Sequence, residues 1–403
     1  MEHVFNFGVT LIAFLVSMLV AKMIGRHKLY SFLSSRSGRY GTLDGLRGYL
    51  ALSVVFHHYV ITWYWKVGGS WGRPPEDYFQ NYGKIGVAIF FMITGFLFIS
   101  KVMGSAGKLN WFMLYESRIF RIFPLYIFAV AIISVVVLYK SGFELIVTGP
   151  ELVGQYLKWL VFMGGTINNF DDTRTVIAGV DWTLKYEWVF YLMLPMLAAL
   201  LYRTFMVRTI LLLLICAPIY YGMIQFYEID AALFVLFIIG GFTAYLNKRL
   251  RISEVVIKSN LVSSVAMLSI VLALFQPKAF GFAHAILLSV FFVLIVLGND
   301  MYGVFSHKSS VLLGEISYSI YLLHGLVLYL AFSVFDIAHI QDFSLQEYLL
   351  FLPLMCVVVI TVSAVTFIYI ENPGVKIGRK HLLSNMLSDT WNRVCGLIKS
   401  GDN

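Results

Sequence analysis

Residues 43–65 read LDGLRGYLALSVVFHHYVITWYW, an apolar run that opens on an aspartate and an arginine and carries two adjacent histidines further in. About 20 apolar residues in a helix cover the hydrocarbon layer of a bilayer, and this run is long enough. Runs of the same kind recur outward in both directions, at 5–24, 85–100, 122–139, 182–202, 209–227, 231–246, 261–275, 282–297, 316–335 and 348–370. The sequence therefore predicts an all-α fold, a polytopic transmembrane helical bundle of about eleven spans. The stretch 151–165 is apolar but short and closes on Gly164-Gly165, so a re-entrant or surface helix is expected there.

Composition agrees. Of 403 residues, 59% are hydrophobic and 13% charged, with mean hydropathy +0.80, whereas a soluble domain carries about 25% charged residues. That excludes a water-soluble fold. The net charge of +8 does not point to nucleic acid, because the basic residues sit in short loops between apolar runs rather than in one stripe. Cys216, Cys356 and Cys395 form no CxxC pair, and two of them lie within apolar runs, so neither a disulfide framework nor a metal site is expected. The run 5–24 is longer than a signal-peptide core and its basic residues come after it, which reads as a retained span.

Cytoplasmic loops carry an excess of Lys and Arg. With the N-terminus outside and the C-terminus inside, 22 of the 30 basic residues fall on the inner side and 8 on the outer. Counting 151–165 as a further span inverts every later span and destroys the bias. No internal repeat or Pro/Ser-rich linker appears. One membrane domain is therefore expected to make up the whole chain, with a tail after Asn372 too short to fold alone.

A charge held centrally in the membrane costs ~2.5–3.5 kcal/mol on insertion scales, so buried polar groups mark places with a partner or a task. Arg47 opens its span at the inner face, where it either snorkels or binds an anion. Asp44, three residues earlier, is placed as a helix N-cap. His58 lies eleven residues beyond Arg47, roughly 16 Å deeper, and its neighbour His57 points about 100° away. A buried histidine is either a hydrogen-bonded packing residue or a catalytic group. Arg118 and Arg121 share one helix face, spaced either to grip phosphates or to anchor the span. Glu187 lies about one and a half turns inside the outer end of its span, free to meet sugar hydroxyls, orient a catalytic group or pair with Lys185. Ser317, Tyr321 and His324 form a polar stripe that either lines a channel or joins helices.

These residues fall in segments that resemble the acyltransferase 3 family. Thr42-Leu43-Asp44-Gly45-Leu46-Arg47-Gly48 followed by His58 is similar to its opening motif, and Gly86 to Phe96 to its third-span signature, with Thr94 in place of serine. Arg118-Ile119-Phe120-Arg121 with Pro124, Asp181-Trp182-Thr183-Leu184-Lys185-Tyr186-Glu187-Trp188, Gly314 to His324, and Glu371-Asn372-Pro373 come next in the family's order. The resemblance covers roughly 42–373, which implies an additional N-terminal helix with a basic loop (1–41), the family's membrane domain (42–373) and a short cytoplasmic tail (374–403). It implies transfer of an acyl group, commonly acetyl, from cytoplasmic acyl-coenzyme A to a hydroxyl of a cell-surface glycan or lipid-linked saccharide, by a multi-pass protein suited to a bacterial inner membrane. Arg47, Arg118 and Arg121 would bind the donor. His58 would be catalytic, as base or as acyl carrier, with Glu187 beside it; Asp44, Ser317, Tyr321 and His324 would line the channel. Acyl-coenzyme A is then a co-substrate, and no tightly bound cofactor or metal is expected. A transporter or flippase of a glycolipid or small anion is the rival reading. It should show paired inverted halves and interrupted helices, which the sequence lacks. A membrane glycosyltransferase would need an acidic pair, and buried carboxylates are scarce.

Overall fold

The computed structural model describes residues 2–33, 41–202 and 206–385. The basic loop with Arg36 and Arg39, Arg203, and the end of the tail with Arg393, Cys395 and Lys399 lie outside the described residues. The helices are α1 (Glu2–Gly25), α2 (Gly41–Gly68), α3 (Asp77–Gly104), α4 (Trp111–Lys140), α5 (Gly149–Leu160), α6 (Trp182–Tyr202), α7 (Met206–Phe226) and α8 (Phe234–Arg249). After them come α9 (Glu254–Ile257), α10 (Asn260–Leu274), α11 (Phe282–Val296), α12 (Lys308–Glu315), α13 (Ser317–Tyr329), α14 (Leu345–Leu349), α15 (Leu352–Thr366) and α16 (Asn372–Arg379). Among the described residues the only β pairing is an isolated bridge between Ile167 and Phe170. The fold is all-α, as the apolar runs imply.

Among the described residues seven helices are long and apolar enough to cross a membrane, against about eleven runs in the sequence. Local features set apart three of the other runs, those of α2, α10 and α11. α10 and α11 are 15 residues each, about 22 Å at 1.5 Å per residue and short of the ~30 Å hydrocarbon layer. α2 has 28 residues but carries Asp44, Arg47, His57, His58 and Lys66. The outward faces are apolar, with Leu11, Leu15 and Leu19 on α1, Ile127 and Val135 on α4, Ile238 and Phe242 on α8, and Leu354 and Val365 on α15 all exposed. Such faces are unfavourable in water and at home in hydrocarbon.

Helices in a lipid environment gain little from the hydrophobic effect when they associate, so close approach of backbones at small residues matters more. α3 and α8 cross where a Cβ on Gly95 would overlap the Phe237 carbonyl and one on Gly240 the Met92 carbonyl. α2 and α12 meet where a Cβ on Gly314 would overlap the Asp44 carbonyl, and just ahead of α12 one on Gly45 would overlap the Phe305 carbonyl. The additional helix α1 packs on α12 and α15. It turns inward a small and polar stripe of Asn6, Thr10, Ala13, Ser17 and Ala21, and Asn6 Nδ2 donates to Tyr78 Oη at 2.8 Å.

The expected re-entrant element lies further along the chain than 151–165. α5 buries only Gln155 and Trp159, while the segment after it enters the bundle, with Ile167, Thr173, Val176, Ile177, Val180 and Asp181 all buried. Ile177 and Ala178 lie so close to Gly325 of α13 that a Cβ there would overlap their backbone. The tail is likewise more integrated than expected. α16 packs on α4, and Glu116 accepts from the Leu383 and Ser384 amides at 2.9 and 3.0 Å.

Candidate active site

α2, α3, α4, α6 and α13 enclose a cavity of about 150 Å³ lined by Arg47, Arg118, Arg121, Glu187, Ser317 and Tyr321 among its polar groups. Six of the nine side chains singled out from the sequence therefore share one space. Phe90, Phe91, Ile93, Leu97 and Phe98 supply much of its apolar wall. A cavity with guanidinium groups and apolar walls suits an anionic ligand with an apolar or extended portion.

Each arginine also meets a carboxylate or an aromatic ring. Arg47 lies 3.9 Å from Asp44, one turn earlier on α2. Asp44 stands within the first turn of α2 rather than capping it, because the helix begins at Gly41, and it is absent from the cavity lining. Arg121 lies 3.4 Å from Glu371, whose other oxygen accepts from Ser319 Oγ at 2.8 Å. Glu371 ends a π-helical turn, Phe367–Glu371, that continues α15; such turns shift side chains around a helix and recur at functional sites. Arg118 sits 5.3 Å over the Phe98 ring, a cation–π contact that leaves the guanidinium edge to donate, and one of its N–H groups lies 3.4 Å from Ser117 Oγ.

Glu187 departs most from the sequence reading, which put it towards the outer end of α6 and away from the arginines. It lies within electrostatic range of Arg118, Arg47 and Arg121 and accepts from Tyr191 Oη at 2.6 Å. The physical reason is the buried segment before α6. Asp181 is fully buried and paired with Arg174 at 3.2 Å, and Thr183 Oγ1 lies 2.9 Å from Tyr321 Oη. α6 thus starts inside the bundle, and one and a half turns carry Glu187 to the arginine cluster.

His58 lies outside that cavity, beyond its Tyr321 end. Its Nδ1 is 2.9 Å from His324 Nε2, and the His324 ring is 6.3 Å from the Tyr321 ring. The indole of Trp71 stacks on His58, with 6.2 Å between ring centres and 15° between the planes. His57 turns away as helical geometry requires: its Nδ1 lies 2.9 Å from the Phe79 carbonyl oxygen, and it packs where a Cβ on Gly83 would overlap its ring. His57 is a packing residue. The polar stripe of α13 divides, since Ser317 and Tyr321 line the cavity while His324 partners His58.

Sequence reasoning passed over Tyr191, Glu371 and Ser319. Tyr191 comes one helical turn after Glu187, a spacing that puts the two on one face. Glu371 and Ser319 stand inside recognised segments with no physical signal to separate them from their neighbours. Among the described residues no three His, Cys, Asp or Glu side chains cluster as a metal ion would need.

Residues 40–368 match the acyltransferase 3 family, as an acyltransferase domain. Over 180 residues the chain is 29% identical to "Nodulation protein 10" of Rhizobium leguminosarum bv. viciae, a match covering 40% of this chain and 45% of that protein. The chain thus spans less than half the length of the curated relative it matches. No solved structure matches it. The matched region takes in α2 to α15, every helix that lines the cavity, and all nine candidate site residues, and on that extent the chain belongs to the acyltransferase 3 family.

Proposed function

We propose that this protein is a membrane-bound O-acyltransferase that holds its donor with arginines and activates its acceptor with a histidine. The donor is acyl-coenzyme A, with acetyl the acyl group, and the acceptor is a hydroxyl of a cell-surface or lipid-linked glycan. The observation that carries this reading is the convergence of Arg47, Arg118 and Arg121 on one cavity whose far end, at Tyr321, adjoins His324 and through it His58. A phosphate-rich donor would seat on the guanidinium forks, and the thioester would extend along the Phe90 and Phe91 wall towards His58. Glu187 and Glu371 hold the arginines in place and limit the excess positive charge when the site is empty.

His58 then acts as general base on the acceptor hydroxyl. A route in which His58 carries the acyl group uses the same ring nitrogen, and a covalently labelled protein would separate the two. The charge bias of the loops supports a donor side facing the cytoplasm, with the N-terminus outside, in a bacterial inner membrane.

The test is turnover of radiolabelled acetyl-coenzyme A by purified, detergent-solubilised protein, comparing wild type with His58→Ala and Arg118→Ala. Thioester cleavage lost with His58→Ala while donor binding persists, and binding weakened with Arg118→Ala, is the expected pattern. Wild-type protein that neither binds nor cleaves acetyl-coenzyme A would remove the reading in favour of transport.

A further inference from the structure

The hydrogen bonds of His324 carry a direction. Its Nδ1 lies 3.1 Å from the carbonyl oxygen of Ile320, one turn earlier on α13. A carbonyl oxygen only accepts, so that nitrogen bears the proton. His324 is fully buried, and among the described hydrogen bonds and ion pairs none joins it to a carboxylate. A neutral ring protonated on Nδ1 has a bare Nε2. That bare nitrogen is the one placed 2.9 Å from His58 Nδ1, so His58 Nδ1 must donate and His58 Nε2 is left with its lone pair free.

We infer that His324 is a positioning residue that holds His58 in the Nδ1–H tautomer and so presents Nε2 as the atom that takes the acceptor's proton. The inference rests on the acyl-transfer reading for its chemistry but not for its geometry. The chain of donors runs from His58 Nδ1 to His324 Nε2 and from His324 Nδ1 to the Ile320 carbonyl. It parallels the task of the aspartate in a Ser-His-Asp triad, which fixes the tautomer and orientation of the histidine, with a neutral ring in place of a carboxylate.

The proton balance closes within this arrangement. As the acceptor oxygen adds to the thioester carbonyl carbon, its proton passes to His58 Nε2. The C–O bond forms, the C–S bond breaks, and the leaving thiolate takes that proton from Nε2 to give free coenzyme A. Between the two transfers His58 is an imidazolium, and its bond to His324 becomes charge-assisted and stronger. The titratable groups facing His58 are His57, His324 and Lys84. Neither of the others can replace His324: His57 is committed to the Phe79 carbonyl, and an ammonium such as Lys84 only donates.

The experiment uses full-length protein labelled with ¹⁵N-histidine, in detergent, with the His58 signals assigned by difference from His58→Ala. The ring is expected protonated on Nδ1 in wild type and distributed between tautomers in His324→Leu. In parallel, acetyl-coenzyme A turnover should fall ~100-fold in kcat for His324→Leu, with KM for acetyl-coenzyme A changed less than about 3-fold. His324→Gln, whose amide oxygen can accept from His58 Nδ1–H, should recover about 10-fold of that loss. Protonation of His58 on Nε2 in wild type overturns the inference, as does wild-type kcat in His324→Leu or equal impairment of the Leu and Gln variants. A wild-type protein inert towards acetyl-coenzyme A would instead defeat the acyl-transfer reading, with the tautomer still open to measurement.

Discussion

The carboxylate of Glu371 and the guanidinium of Arg121 lie 3.4 Å apart, the carboxylate wholly buried and the arginine partly open to the cavity. The pair joins the end of the long C-terminal helical stretch to α4. It fixes the direction in which Arg121 presents its remaining N–H groups. Glu371→Gln keeps the shape and the Ser319 bond but removes the charge. It should weaken acetyl-coenzyme A binding by ~10-fold, about 1.4 kcal/mol, while leaving the fold intact by gel filtration. Glu371→Ala strands both Ser319 and Arg121 and should lower stability by about 1–3 kcal/mol, read as a fall in melting temperature in detergent.

Arg118 is expected to act through its planar fork. Arg118→Lys keeps the charge but loses bidentate geometry and the stacking over Phe98. Its binding constant for acetyl-coenzyme A should therefore resemble that of Arg118→Ala, weaker than wild type by roughly 10–100-fold. Lysine binding as well as arginine would show that only the charge matters.

Tyr191→Phe removes the donor to Glu187 at 2.6 Å and leaves a buried carboxylate with one partner fewer. We expect turnover to fall about 10-fold, with Glu187→Gln equally affected and the double variant no worse than either single one. Additive losses in that cycle would show that the two side chains act separately.

Gly95 and Gly240 mark a single crossing of α3 and α8. Alanine at either should force the helices apart and cost about 1–3 kcal/mol, measured as thermal stability in detergent. The double variant should lose less than the sum, since the first methyl already opens the contact the second would clash with.

The orientation can be read by cysteine labelling at the exposed ends of α3. Ser70 and Lys108 flank this helix at opposite ends and are both exposed. With the N-terminus outside, Ser70→Cys should react with a membrane-impermeant maleimide in intact cells and Lys108→Cys only after permeabilisation. The opposite pattern would turn the bundle over and place the arginine cavity outside.

Much of the architecture was legible in the linear pattern. Apolar runs of spanning length announced helices, and the rarity of charge inside them made Arg47, His58, Arg118, Arg121 and Glu187 conspicuous. Helical spacing also separated His58 from His57, and the structure sends His57 to a backbone carbonyl on α3. Hydropathy marked the runs without their helix lengths, because an apolar run records which solvent a segment prefers and not how far its helix extends: α10 and α11 are 15 residues each, α2 28.

The sequence by itself determined an all-α, lipid-facing chain with arginines grouped near one end of α2 and α4, because hydrocarbon rejects charge that has no partner or task. Only the tertiary structure decided which of those groups meet. His58 and His324 are 266 positions apart, and Glu187 reaches the arginines because the buried segment ahead of α6 sets the depth at which that helix begins. Contacts between helices depend on their rotation and depth. Glycine crossings and inserted segments set both, and the apolar periodicity of a single helix encodes neither.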